Sequence, residues 1–393
     1  MVTTASVHGT GNLAGEKPAV GTRMVALLGR RDEPTDALRD YCARLGEGLR
    51  AHGVLLETAE VLWDRQGWLV TIAKLWKQSA RWSGRWVLFQ YTALMWSRRG
   101  FPMAIPLLLG ILRLRGCRTA VVFHDVYAVP GPRPIDRFRV AFQCRIMLYA
   151  YRCANRSIVP IPLDRVPWLP RKVPKAAFIP VGANIPSLDD LLRDGFVPTH
   201  GSPLKVAAFG ISSWPAAQKQ ELEAITYGMR QACADLGELC LVIMGRGAKE
   251  AEPALREGLS GSRVLLTVDG LMESRDVSTR LCECDVLVFV RGPLSCRRGS
   301  GLAGIACGLP IVAYEGRETG SPLTEAGILF VRQNDLASLA DQLTRVLRDA
   351  DLRRSLCVRN QTVFREWFAW DRIAGRLMKA FAGTNEDSSR WWE

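Results

Sequence analysis

The stretch SCRRGSGLAGIACGLPIV, Ser295 to Val312, decides the fold. Two arginines lead into Gly299-Ser300-Gly301. A small-residue helix follows, and Gly308-Leu309-Pro310 breaks it before an apolar run. The segment just before, DVLVFV (285–290), has the composition of a buried strand. Strand, basic turn, helix and strand in that order are the unit of a parallel sheet. Small residues at the turn let backbone N–H groups come close to a ligand, and the helix N-terminus carries partial positive charge. Arg297 and Arg298 add planar forks that match phosphate oxygens. The turn therefore reads as a diphosphate cradle, with a tight turn and two surface arginines as the plainer alternative.

Outward from this stretch the same unit repeats. LKVAAFG (204–210), a helix over 216–236, LCLVIMG (239–245), RVLLTVDG (263–270) and a helix over 273–283 precede it. LPIVAY (309–314), GILFV (327–331) and helices near 335–348 and 362–381 follow. A separate series fills the first half. It runs MVALL (24–28), a helix with Leu38, Tyr41, Cys42, Leu45 and Leu49 on one face, and a strand from Val54. WVLFQY (86–91), TAVVFHDVY (119–127), ANRSIVPI (154–161) and AAFIPVGANI (176–185) complete it. The alternation predicts an α/β chain of two Rossmann-like, doubly wound domains facing across a cleft. A disordered leader (1–22), a domain over 23–186, a polar linker (187–203) and a domain over 204–361 are expected. A closing helix (362–382) and a tail (383–393) end the chain. Ligands of such sheets bind beyond the carboxyl ends of the strands.

Length and composition agree with this reading. A chain of 393 residues is too long for one ordinary core, and 48% hydrophobic with 23% charged residues is globular. The longest apolar run, near Phe101 to Leu112, holds Pro102 and Pro106 and is too short to span a bilayer. A cytoplasmic protein, peripheral on the inner face of the cytoplasmic membrane, is the expectation. Eleven cysteines without a C-x-x-C pair, and four scattered histidines, argue for reduced core thiols and against a zinc site. The net charge of +13 is uneven: Trp63 to Lys172 holds 19 basic and 4 acidic residues, while the rest is nearly balanced. Such a field suits an anionic ligand or surface, and no nucleic-acid motif accompanies it.

The order of the later pieces is specific. ACGLPIVAYEG (306–316), GILFV, Asn334-Asp335, LASLADQLTRVL (336–347) and DADLRRSL (349–356) come in sequence, and FAWDRIAGRLM (368–378) closes the chain. With VVFHDVY (121–127) and IPVGANIP (179–186), this order resembles the retaining, nucleotide-sugar-dependent glycosyltransferases of family 4, which share the GT-B fold. The likeness runs from about Met24 to Phe381. It implies transfer of a sugar from a nucleoside diphosphate, with retention of configuration, to a glycan or lipid-linked acceptor in envelope polysaccharide or glycolipid synthesis. The nucleotide sugar is a substrate, and no separate cofactor or metal is implied. A closing helix that crosses back to the first domain is also implied.

The chain departs from that family at known places. A Glu-x7-Glu pair usually precedes the Ala-x-Gly-x-Pro segment, and here those positions are Ser295 and Ala303. The replacement resembles a variant of bacterial members. The resemblance assigns catalytic places to His124, beside the transferred sugar, and to Ser295, toward a donor hydroxyl. A packing role is the alternative for His124. The loop GISSWPAAQK (210–219) implies diphosphate contacts from Gly210, Ser212, Ser213 and Lys219, with Arg297, Arg298, Gly299, Ser300 and Gly301 completing the cradle. Gly245, Gly270 and Leu271 fall in the nucleotide-base region. Thr35 and Asp36 are acceptor-side candidates, or simply a helix N-cap. The missing glutamates leave a second reading open, a non-catalytic GT-B subunit that binds nucleotide or glycan and supports a partner enzyme. A sugar-nucleotide 2-epimerase, which shares the fold, would need acidic residues in the cleft.

One strip stands apart. Six tryptophans, Trp63, Trp68, Trp76, Trp82, Trp86 and Trp96, lie among seven basic residues between Trp63 and Arg99. Trp68, Leu69, Ile72, Leu75 and Trp76 share a helical face. This suits either a helix lying on an anionic membrane or one packed on its own sheet.

Overall fold

The computed structural model describes residues 22–30, 36–128, 131, 133–199 and 201–383. The expected leader up to residue 21, the tail from 384 and Thr35 lie outside the described residues. Among the described residues, the first half forms six strands: β1 (Thr22–Leu28), β2 (Val54–Glu60), β3 (Trp86–Tyr91), β4 (Arg118–Phe123), β5 (Arg156–Val159) and β6 (Ala176–Phe178). They pair in the order β2-β1-β3-β4-β5-β6, all parallel. The second half adds β7 (Leu204–Phe209), β8 (Leu239–Met244), β9 (Val264–Gly270), β10 (Val286–Phe289), β11 (Ile311–Tyr314) and β12 (Ile328–Val331). Their order is β12-β11-β10-β7-β8-β9, again parallel. Each sheet reverses direction once, between β1 and β3 and between β7 and β10. A crevice opens at such a switch point beyond the strands' carboxyl ends.

Both faces of the second sheet are buried, as a parallel sheet requires. Along β7, Val206 and Ala208 enter one apolar cluster and Ala207 the other; Leu241 and Ile243 on β8 oppose Val242 and Met244 in the same way. This is why its strands read as continuous apolar runs.

The last helix among the described residues, Trp370–Ala382, returns to the first core. Ile373, Ala374, Leu377, Ala380 and Phe381 are buried there, and the Phe381 ring stacks on Trp86 at 4.2 Å. Each large side chain so buried contributes roughly 1.5–3 kcal/mol. Glycines admit the helix: a Cβ at Gly48 would stand 2.5 Å from the Trp370 carbonyl oxygen, and one at Gly182 would stand 2.6 Å from its ring. The Trp370 indole N–H donates to Ala183 O at 2.8 Å. The single helix expected over 362–381 is therefore broken. Helix Ala350–Val363 passes through a π-helical turn, Phe364–Phe368, before Trp370 restarts it.

Other boundaries also move. The run 119–127 stops being strand at Phe123, and 176–185 at Phe178. The expected linker 187–203 contains a helix, Leu188–Arg193, whose Leu191 is buried among the second sheet's residues. Asp194 pairs with Arg275, and Asp189 with Arg365. The polar residues that suggest a linker are spent on a capping box at Ser187 and on these ion pairs.

The tryptophan strip divides. Trp63 stacks on Trp68 at 5.1 Å, Trp82 and Trp96 are buried, and Leu75 is buried. Only Trp76 of the six is exposed. Helix Trp68–Ser79 therefore packs on its own sheet through part of the apolar face, and that face as a whole is not free for a membrane. No helix among the described residues is long and apolar enough to cross one.

Candidate functional site

The carboxyl ends of the two sheets meet. Val181 N–H donates to Cys296 O at 3.0 Å, and Arg165 Nη1 to Arg317 O at 3.1 Å. The Arg317 guanidinium lies 3.9 Å from the Tyr127 ring centroid. Residues following β4, β5 and β6 thus face residues following β10 and β11.

The basic turn builds its site from adjacent arginines with different fates. Arg297 Nε and Nη2 each donate to Glu318 at 2.8 Å, a two-pronged pair that is mostly buried. Burial works against Glu318's charge, but the bonds from Arg297 outweigh it and hold the carboxyl below its usual range. Arg297 is raised by the same bonds against the same burial. Its charge also reaches Asp125, across from it after β4. Arg298 has no such partner. Its Nε is buried and makes no hydrogen bond. Burial first, then the neighbouring positive charges of Arg297 and Arg291, lower its proton affinity, while Glu318 and Glu221 act the other way. A buried donor without a partner is costly, and an anion would satisfy it.

Arg298 also caps helix Gly299–Ala306. Among the described residues, no acceptor meets the N–H groups of Gly299 and Ser300. A Cβ at Gly299 would meet nothing within 4 Å, so this end is open. Gly301 serves a different need: a Cβ there would stand 2.3 Å from Leu294 Cδ1, so it lets the helix pack on the turn.

The opposite wall is the loop after β7. Gly210, at φ 76°, turns the chain with its N–H on Met244 O, and a Cβ there would stand 2.7 Å from Arg291 Nη1. Arg291 therefore lies across the switch point, over the glycine backbone. Ser212 N–H donates to Glu221 Oε2 at 2.8 Å. Glu221 is 5% exposed, and burial raises its pKa against that hydrogen bond and the charges of Arg291 and Arg298. Ser213 is exposed. Lys219 is exposed too and lies about 200° around helix Pro215–Leu236 from Glu221, by the 100° turn per residue. The structure thus brings Arg291 and Glu221 to the crevice and places Lys219 on another face of that helix. Gly245 N–H donates to Gly270 O at 2.5 Å, joining the loop after β8 to the end of β9, with Leu271 exposed beside them.

Ser295 is fully buried, under the turn rather than in the cleft. Its Oγ has no partner in full hydrogen-bond geometry, yet it lies close enough to Glu318 to help hold that carboxyl down. Ala303 is buried as well. A direct contact from Ser295 to a donor hydroxyl does not fit this placement.

His124 stands at the end of β4. Gln90 Nε2 donates to Leu88 O, which turns its Oε1 toward His124 Nε2 at 2.7 Å. Nε2 then carries the ring proton and Nδ1 is an acceptor. Burial pushes the imidazole down to about 3, so it is neutral near pH 7. The Tyr41 ring meets it edge-on at 4.9 Å and touches Trp370 at 5.3 Å. Asp36 accepts from Arg39 N–H as the N-cap of helix Ala37–Arg50.

Glu221, Arg291 and Glu318 are the members that sequence reading missed. Glu318 follows β11, twenty-one positions from Arg297. Glu221 is the only buried acid on its helix, which gives it no local pattern. The one Asp-x-Asp triplet, Asp349-Ala350-Asp351, is a helix cap with an ion pair to Arg354. Among the described residues, no three His, Cys, Asp or Glu side chains gather into a metal-holding group.

No family model and no curated protein sequence matches the chain. Solved structures do. Sucrose-phosphate synthase from Thermosynechococcus elongatus superposes with a TM-score of 0.64 at 16% identity, covering 92% of this chain and 98% of that one. HepE from Anabaena, solved with UDP and glucose, gives 0.60 at 12% identity, covering 92% and 99%. A glycosyltransferase from Rickettsia africae gives 0.60 at 11% identity, covering 93% and 100%. The architecture of two facing Rossmann-like domains is the GT-B fold.

Proposed function

We propose that this chain transfers a sugar from a nucleoside-diphosphate donor to a glycan or lipid-linked acceptor, with retention at the anomeric carbon. The observation that carries it is Arg298, part-buried and unpartnered at an open helix N-terminus in the switch-point crevice. As the bond from sugar to diphosphate breaks, negative charge gathers on the leaving group. Arg298, Arg291 and the N–H groups of Gly299 and Ser300 are fixed donors for that charge, and no metal ion is assigned to it. Arg297 is engaged with Glu318 and shapes the turn instead. His124, neutral with Nδ1 bare, accepts a hydrogen bond from a sugar hydroxyl. Gly245, Gly270 and Leu271 border the base. The complex of HepE with UDP and glucose supports this reading by analogy of fold.

A second reading has an observation of its own. The family's two glutamate positions are Ser295 and Ala303, both buried, which favours a non-catalytic subunit that binds nucleotide or glycan. Turnover decides between them. Donors matching the nucleotide that binds are incubated with candidate acceptors, and release of nucleoside diphosphate and the product anomer are followed by NMR. Acceptor-dependent release with the donor's configuration kept supports the transferase. Tight nucleotide binding without turnover moves the subunit reading ahead.

A further inference from the structure

The positive surplus of the first half has a structural location. Three consecutive helices, Trp68–Ser79, Ile105–Leu114 and Pro134–Cys153, cover one side of the first sheet and touch one another in order. Together they hold one carboxylate, Asp136, which is buried and paired with Arg139. Their exposed charges are all positive: Lys74, Lys77, Arg113, Arg137, Arg145 and Arg152.

The same helices expose large apolar side chains. Leu69 is 87% exposed, Met103 (just before the second helix) 72% and Phe138 59%; Val70, Leu107 and Ile135 are exposed as well. These six lie within the first five residues of their helices or just before them, whereas Leu114, 78% exposed, and Trp76 lie toward the opposite ends. Each helix follows a strand of a parallel sheet, so it begins at the strand's carboxyl end, on the cleft side. Contacts tie the face together: Phe101 meets Phe138 at 6.0 Å, and the Arg115 guanidinium lies 4.7 Å from the Trp76 ring centroid. An apolar patch at the cleft mouth with a basic field behind it is unusual for a surface that faces only water.

We propose that this three-helix face docks on an anionic lipid bilayer, with Leu69, Met103 and Phe138 entering the interface and the lysines and arginines meeting the headgroups. The charge selects an anionic partner. The exposed apolar side chains at the same face select a lipid surface over a nucleic acid, whose backbone offers them nothing. The proposal deepens the reading of a lipid-linked acceptor, because the apolar patch borders the cleft where the acceptor would arrive.

The test is sedimentation of the full chain with phosphatidylcholine vesicles, with and without phosphatidylglycerol. The expected result is binding only with phosphatidylglycerol, weakened by salt. Reversing one headgroup contact, Arg137→Glu or Lys77→Glu, is expected to weaken binding by about fivefold or more. The exposed double change Leu69→Glu with Phe138→Glu is expected to abolish it, with the thermal midpoint and nucleotide response unchanged. No binding to phosphatidylglycerol vesicles, equal binding to both vesicle types, or full binding by the double variant overturns the proposal. Binding to double-stranded DNA without vesicle binding also overturns it and points to nucleic acid. Nucleotide response is read on the same samples, so failure of the lipid face is distinguishable from failure of the donor site.

Discussion

The two sheets share a parallel, doubly wound plan and differ at their switch points. In the first, the loop after β3 closes the crevice. A Cβ at Gly29 would stand 2.7 Å from Met95 O, Arg30 N–H donates to that oxygen at 3.1 Å, and the Trp63 indole donates to it at 2.8 Å. Trp96 is buried beneath, its indole on Gln90 O. In the second sheet the equivalent place holds Arg291 and Arg298, an open Gly299 and helix N–H groups without acceptors. Topology offers both halves a crevice, and the loops decide that one is filled with protein and the other with unsatisfied donors.

The sharpest break of this contrast is within the basic turn. Arg298→Ala is expected to remove nucleotide binding, a loss of about 2–5 kcal/mol for a desolvated charge contact, while the ligand-free protein keeps or gains stability. Arg297→Ala is expected to do the reverse: the free protein loses on the order of 3 kcal/mol because Glu318 is stranded. Denaturant melts with and without nucleotide measure both. Equal effects on binding and stability from the two variants would erase the distinction.

Gly29→Ala addresses the closed crevice. The added methyl must displace the Met95 carbonyl, and about 1–3 kcal/mol of stability is expected to be lost with nucleotide affinity unchanged. A drop in affinity without a drop in stability would mean that the first crevice also binds the donor.

His124 gives a smaller, pH-dependent effect. Its folded pKa lies near 3, below the unfolded value near 6.5, so the unfolded chain binds the extra proton first. The stability it supports is complete above about 6.5 and falls as the pH drops toward 3, by at most about 1.4 kcal/mol per unit. His124→Asn is expected to flatten that part of the stability curve. An unchanged slope from pH 6.5 to 4 would place the charged imidazole in the native protein. The smallest effect belongs to Lys219→Ala, which is expected to leave nucleotide affinity within about twofold, since exposed pairs contribute little. A tenfold loss would return the diphosphate lysine to that helix.

Much of the architecture was legible because buried parallel strands are apolar on both faces and helices repeat at 3.6 residues. The runs at 86–91, 204–210 and 239–245 appear as strands for that reason. The closing helix was legible by resemblance, but not its break at Phe364–Phe368, which has no proline to mark it. The site was less legible. Arg297 and Arg298 are equivalent in sequence, and what separates them is Glu318, brought in by the return of the chain through β11. The tryptophan strip left two readings open because a shared helical face looks the same whether it packs on a sheet or on a membrane; the fold divides that face, with Trp68 stacked on Trp63 and Leu75 buried while Leu69 and Trp76 stay exposed.

The most direct measurement is a calorimetric titration of UDP, GDP, ADP and dTDP into the wild-type protein. The account predicts that one of them binds, that binding weakens with salt, and that at about 100 times its dissociation constant it adds roughly 2.7 kcal/mol of stability. If none binds, the open arginine turn is not a diphosphate cradle, and the central claim is contradicted.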